Sequence, residues 1–159
     1  MVEAGKSRHV GFALGWPYLR KHGPWVIGKG IDVSTYGLNC QTLVHLYYNN
    51  RFGVKLPIGM WTKEIYEDEG LLFETLQSEE YVEGDIFFFG KSEAKPISLH
   101  LAVYTGIHDP TGDMILRHAN SVDNKVSDWP LGKFFQHKRY QNLHRVKRLV
   151  PDLFAIHIG

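Results

Sequence analysis

The chain has 159 residues, 43% of them hydrophobic and 13% aromatic, with 18 Lys and Arg against 17 Asp and Glu. This length supports one domain, 1–159, with a real core and is too short for two comfortable ones, and a net charge of +1 excludes a global field for nucleic acid or an anionic membrane. A single cysteine excludes an internal disulfide framework and any multi-cysteine zinc module.

The polar start, residues 1–9, lacks the apolar core of a secretion signal, and no later run reaches the length of a membrane span. The compartment expected of the chain as written is therefore the cytosol, with no membrane partner. A mature form whose signal had been removed would read the same and be secreted.

Ser7 can cap a short helix carrying Val10, Ala13 and Leu14, ended by Gly15 and blocked by Pro17. From Leu19 to Val33 the glycines and Pro24 predict a long loop, with a brief extended piece at Trp25-Val26-Ile27. Loops of that length in a small domain often line a site. Gly37 and Asn39 are turn formers, nothing from Gln41 to Arg51 breaks a helix, and Gly53 and Pro57 stand where a C-terminus and a stop belong. Cys40 thus falls in the first turn of a helix that is apolar on most sides and central. A second, more exposed helix is predicted from Met60 to Asp68, with Trp61 and Ile65 inward and Gly70 ending it.

The second half changes period. Asp85 to Phe89 reads as a short buried strand, and Ser98 to Thr105 as the next. Asp109-Pro110-Thr111-Gly112 is a turn signal before Met114 to Ala119, which predicts an antiparallel hairpin. A helical segment from Leu131 to Tyr140, an alternating strand from Leu143 to Leu149 and a final apolar piece near Leu153 to Ile158 complete the chain. Helices first and a meander afterwards give an α+β domain.

A helix N-terminus carries unpaired N–H groups and about half a positive charge, which favours thiolate over thiol at Cys40. An isolated cysteine can equally be a buried structural thiol. A thiol nucleophile needs a base to take its proton, and the base needs a third polar group to orient it. Of nine histidines, His9, His22, His108 and His137 sit in polar or turn contexts and read as solvated. His45 is about 140° round the helix from Cys40, and His144 and His157 have no acid or thiol signal nearby. His100 and His118 fall in two strands of one hairpin and can meet across the ladder. Cys40, His100 and His118 fit the required order, though spacing alone leaves structural roles open.

Several separate motifs fall in one order here. Ala13-Leu14-Gly15-Trp16-Pro17-Tyr18, Asn39-Cys40-Gln41-Thr42-Leu43-Val44 running on to Phe52-Gly53-Val54-Lys55-Leu56-Pro57, Gly84-Asp85-Ile86-Phe87-Phe88-Phe89, Ser98-Leu99-His100-Leu101-Ala102-Val103-Tyr104 and Leu116-Arg117-His118-Ala119 together resemble the NlpC/P60 family of papain-like cysteine peptidases over nearly the whole chain. The resemblance implies a papain-like fold with N-terminal helices packed on an antiparallel sheet. It implies a nucleophile at Cys40, a general base at His100 and an orienting group at His118. Tyr18 would lie beside the nucleophile, Asn39 and Gln41 would contact substrate, and the Cys40 backbone N–H would serve the oxyanion.

Where the family has Asp-Cys-Ser-Gly, this chain has Asn39-Cys40-Gln41-Thr42, which removes the charge that grips a substrate ammonium. Gly30-Ile31-Asp32-Val33-Ser34 imitates the nucleophile motif with valine in place of the thiol, but the downstream helix and Leu-Pro spacing fit Cys40. Lys133, Lys138, Arg139, Arg145, Lys147 and Arg148 read as a solvated basic face rather than a nucleic-acid surface.

The expected function is a cysteine peptidase or amidase acting on an amide, in a peptidoglycan stem peptide or related isopeptide, with a cell-wall-derived peptide as partner. The alternatives are a thiol acyltransferase on the same scaffold and a non-catalytic peptide-binding module. No cofactor is expected, and zinc chemistry through the two histidines lacks a suitably placed acidic third ligand.

Overall fold

The computed structural model describes residues 10–150. Two short helices, α1 (Trp25–Gly28) and α2 (Val33–Tyr36), precede the long helix α3 (Cys40–Phe52), and α4 (Thr62–Glu67) follows. Then come β1 (Phe73–Thr75), β2 (Ile86–Phe89), a 3-10 turn at Pro96–Ser98, β3 (His100–His108), β4 (Met114–Asn120), β5 (Lys125–Pro130), α5 (Leu131–Gln136) and β6 (Leu143–Leu149). Among the described residues the strands form one antiparallel sheet in the order β1-β6-β2-β3-β4-β5. The architecture is α+β, as expected. The meander runs from β2 to β5, and β6 returns to sit between β1 and β2.

Helix α3 begins and ends on local chemistry. Asn39 is extended and its side chain accepts the Thr42 N–H at 3.0 Å, while Gly53 closes the helix at φ 70°, a conformation glycine adopts at no steric cost. Thr42, Leu43, Val44, His45, Tyr47 and Tyr48 are all buried, so the helix is covered on several sides.

The sheet separates two apolar layers. Ile86, Phe88, Leu101 and Val103 pack with Val44, Tyr47 and Tyr48 of α3 and Ile65 and Tyr66 of α4. Phe87, Phe89, Ala102, Tyr104, Leu116 and Val146 pack on the opposite face with Trp129, Tyr140 and Phe134 of α5. Because both faces are covered, β2 reads as an unbroken apolar run rather than an alternation.

Several expectations need correction. Val10 is helical but residues 11–15 form turns, so the expected helix does not run on to Gly15; Ala13 is buried while Val10 and Leu14 are exposed, so the three do not share one buried face, and Ser7 lies outside the described residues. Trp25-Val26-Ile27 is helical, because Pro24 adopts φ −55° and the carbonyls of Gly23 and Pro24 accept from Val26 and Ile27. Helix α4 is shorter than expected, and Trp61 is only half-buried where it was expected inward. Strand β1 arises in a stretch for which the sequence predicted no element, held by pairing with β6. Lys147 is not on a solvated face: it is fully buried, donating to the Asp68 carbonyl and Thr75 Oγ1. The final apolar piece lies outside the described residues.

The segment before α1 is laid across the sheet by long-range bonds. Arg117 of β4, almost fully buried, pairs with Asp128 at 2.8 Å and donates to the carbonyls of Val10 and Phe12. Gly15 N–H donates to the Val126 carbonyl, Tyr18 N–H to that of Asn124, and Leu38 N–H to that of Pro17. Gly37, at φ 97°, passes so close that a Cβ would meet the Pro17 oxygen at 3.1 Å. These bonds fix Tyr18 against the residues that open α3.

Arg117→Met leaves two carbonyls and a carboxylate without their buried donor and should cost about 3 kcal/mol. Urea denaturation at neutral pH measures it; a loss under about 0.5 kcal/mol, the usual range for an exposed site, would contradict the role assigned to this side chain.

Candidate active site

The register of the hairpin decides which residues meet. Val103 pairs with Arg117, and continuing that antiparallel register sets Ala102 opposite His118 and His100 opposite Asn120. His100 and His118 are therefore diagonal neighbours on one face. Their rings meet with His100 Nε2 and His118 Nδ1 2.7 Å apart. Tyr140 stacks on His100 at 4.4 Å between ring centroids, and Trp129 and Phe134 lie 4.5 and 4.6 Å from His118.

A groove of about 700 Å³ opens where β2 ends and β3 starts. Tyr18, Asn39, Cys40, Gln41, His100, Asn120 and Tyr140 line it. Cys40 opens α3, as the sequence predicts, and the backbone N–H groups of Leu101, Cys40 and Gln41 favour its thiolate form. The charge of its thiolate would be felt by both Tyr18 and Tyr140. Cys40 and His100 both line this groove. His118 lies behind His100, fully buried.

The electrostatics correct one expectation. Burial pushes the Cys40 thiol up to about 11, outweighing the three backbone N–H groups that pull the other way, so the helix terminus does not leave a thiolate at rest. Burial likewise lowers His100 from 6.5 to about 3, aided by Arg139 and His137, and holds His118 well below its ordinary value. Cys40 and His100 are half-buried, and both directions make the resting forms a neutral thiol and a neutral imidazole.

Asn39 and Gln41 face the groove with their side chains already engaged. Asn39 Oδ1 accepts from the Thr42 N–H, and Nδ2 donates to the Arg20 carbonyl at 3.1 Å. Gln41 Nε2 donates to Thr62 Oγ1 at 2.6 Å, while its Oε1 is buried without a partner among the described residues. Val33 of the imitation motif is buried at the start of α2 and does not line the groove.

The other histidines do structural work. His22, expected to be solvated, is half-buried with Nδ1 2.8 Å from the Gly37 carbonyl; His137, also expected to be solvated, stacks on Tyr140. His45 reaches the Met60 carbonyl and His144 that of Gly90. His108 is exposed, and His9 and His157 lie outside the described residues.

Sequence reasoning missed Tyr140, Asn120 and the cations Arg20, Lys91, Lys95 and Arg139, all of which line the groove. Asn120 was findable, because two positions after His118 in a strand puts it on the same face. Tyr140 was not, since its stacking depends on how α5 returns the chain to the sheet.

No protein-family model and no curated protein matches the chain. Solved structures do. NlpC1 from Trichomonas vaginalis aligns with a TM-score of 0.55 at 19% identity, covering 90% of this chain and 43% of that one. NlpC2 from the same organism gives 0.55 at 19%, covering 89% and 44%. The NlpC/p60 domain of the peptidoglycan hydrolase SagA gives 0.50 at 17%, covering 90% and 95%. The chain spans less than half the length of the two Trichomonas chains. At these identities the likeness is one of fold.

Burial of neutral His45, His100 and His118 makes stability depend on pH. All three folded values are lowered, so the unfolded chain binds protons first, and their contribution is full above pH 6.5 and lost as pH falls towards about 3. Urea midpoints should drop over that window, and His100→Phe should flatten the slope. An unchanged slope in that variant would contradict the burial argument.

Proposed function

We propose that this chain, which has the NlpC/P60 fold, is a cysteine hydrolase that cleaves an amide bond through a thioester on Cys40. One observation carries the reading: the sole cysteine, at the start of α3, shares a groove with a histidine whose ring is held at 2.7 Å by a second, buried histidine. In this reading His100 takes the thiol proton as sulfur attacks the carbonyl carbon, forming the C–S bond. The Cys40 backbone N–H stabilises the oxyanion. His100 then returns the proton to the leaving nitrogen as the C–N bond breaks, and water releases the acid and regenerates the thiol. His118 orients His100. A neutral thiol beside a neutral imidazole is compatible with this, since a general base must begin unprotonated.

The groove wall indicates the class of acyl donor. Arg20, Lys91, Lys95 and Arg139 line it, and among the described residues no Asp or Glu does. Asn39 supplies no charge for an ammonium, and its amide is committed to the helix cap and Arg20. A peptide bearing carboxylates near the scissile bond suits this surface, with cation attraction favouring capture. SagA's description as a peptidoglycan hydrolase makes an acidic cell-wall stem peptide or related isopeptide the first substrate to try.

A second reading, a peptide-binding module without turnover, draws on the same burial that keeps the thiol protonated. Incubating the protein with a panel of muropeptides and identifying products by mass spectrometry separates the two. Hydrolysis should release a free amine and acid. It should vanish in Cys40→Ala, fall by about 10² to 10⁴ in His100→Ala and fall less in His118→Ala. Peptide binding without turnover would replace the hydrolase with the binding module, and products that incorporate added amines would make it an acyltransferase.

A further inference from the structure

The described residues include six arginines, and they divide by their partners. Arg51 pairs with Glu83, Arg117 with Asp128, Arg145 with Glu69 and Arg148 with Asp85. Arg20 and Arg139 have no carboxylate partner among the described residues, and these two are the arginines that line the groove. A guanidinium is a planar fork of N–H donors that matches the two oxygens of a carboxylate. Elsewhere in the fold that match is made within the chain; at the groove no described residue makes it.

Both cations stand at the Tyr18 end of the groove. Arg20 follows Tyr18 by two residues, and the Asn39 amide, donating to the Arg20 carbonyl at 3.1 Å, ties its backbone to the residue before Cys40. Arg139 arrives from the loop after α5. Its Nη1 donates to Ser121 Oγ at 2.6 Å, just past the end of β4, and its guanidinium reaches the Tyr140 phenol. Both charges also act on the Tyr18 phenol, which sets the two arginines around one point. Ser121 lines the groove and accepts from Arg139, so its own hydroxyl proton is uncommitted among the described residues. Tyr18, whose proton is held on by burial, brings a further hydroxyl donor.

We propose that Arg20 and Arg139, with the hydroxyls of Ser121 and Tyr18, form a subsite that takes a carboxylate of the peptide and rejects an ammonium at the same place. The proposal rests on the reading of this groove as a peptide site and states which peptides it selects: acidic ones whose amino terminus is blocked or remote. Asn39 carries no charge, and its amide is occupied by the Thr42 N–H and the Arg20 carbonyl, so it offers a cation nothing. Lys91 and Lys95 line the groove from the β2–β3 connection and add attraction without a fork to fix a carboxylate in orientation.

Arg20, Arg139 and Ser121 are exposed, so water competes for the same donors. The subsite therefore supplies selectivity more than tight capture, about three- to tenfold in affinity for each arginine.

Calorimetric titration of the Cys40→Ala chain at neutral pH and low salt reads this without turnover. The probes are acetyl-alanyl-glutamyl-alanine amide, its glutaminyl counterpart, and the glutaminyl peptide with a free amino terminus. The glutamyl peptide should bind about tenfold more tightly than the glutaminyl one, and the free-amine peptide should bind most weakly. Adding Arg20→Gln or Arg139→Gln should cut glutamyl binding about three- to tenfold and leave glutaminyl binding unchanged. Lys29→Gln, which removes one exposed positive charge away from the groove, should change either by less than about twofold. Arg139→Glu should make the free-amine peptide bind better than its acetylated form. Equal affinity for the glutamyl and glutaminyl peptides, or no binding of either, overturns the subsite even if no arginine variant folds. So do arginine variants that behave like Lys29→Gln. Inorganic phosphate binding more tightly than the glutamyl peptide would make the pair a phosphate site and overturn the carboxylate assignment. A glutamate preference without hydrolysis by the wild type counts against the proposed chemistry alone, whereas hydrolysis that ignores the glutamate overturns the subsite alone.

Discussion

The contact between His100 and His118 depends on the register of β3 against β4, and most of the remaining structure serves to hold that register. A one-residue slip would send one ring to the opposite face of the sheet. Leu101 and Val103 are locked into the α3 layer, while Ala102 and Leu116 are locked into the α5 layer, so apolar packing on both faces fixes where the histidines point. The Arg117–Asp128 pair does the same for β5 and ties the opening segment to β4 beside His118.

That packing sets the chemistry as well as the geometry. The aromatic wall of Tyr140, Trp129 and Phe134 keeps the rings ordered and also penalises their charged forms. Three backbone N–H groups around the sulfur favour thiolate, but desolvation outweighs them. If the proposed reaction takes place here, the centre rests uncharged and charge separates only as the oxyanion develops. The cations that line the groove, Arg20, Lys91, Lys95 and Arg139, would complement such a state.

What could be read from the sequence was what local chemistry determines. Asn39 and Gly53 bracket α3 with a cap and a left-handed stop, and Asp109 to Gly112 marks the β3–β4 turn. The five motifs supplied the fold, and the order of Cys40, His100 and His118 pointed to residues that the fold assembles at one groove and behind it. Elements that exist only through tertiary partners were illegible. Strand β1 is three residues supported by β6; α1 is made of Trp25, Val26 and Ile27, whose β preference is overridden by Pro24. Strand β5 shows no alternation because its apolar residues, Val126 and Trp129, are three apart and enter different clusters. Lys147 looks like surface in any sequence window, and only tertiary partners, the Asp68 carbonyl brought in by the α4 to β1 loop and the Thr75 hydroxyl of β1, satisfy it where it is buried.

The most direct test of the account is whether carbon from an acyl donor becomes attached to Cys40. Quenching a single turnover of an acidic muropeptide in acid and mapping the protein by mass spectrometry should find the donor's acyl mass on the peptide containing residue 40, with a much smaller signal in His100→Ala. Turnover that leaves Cys40 unmodified at every time point, or that persists undiminished in Cys40→Ala, would contradict it.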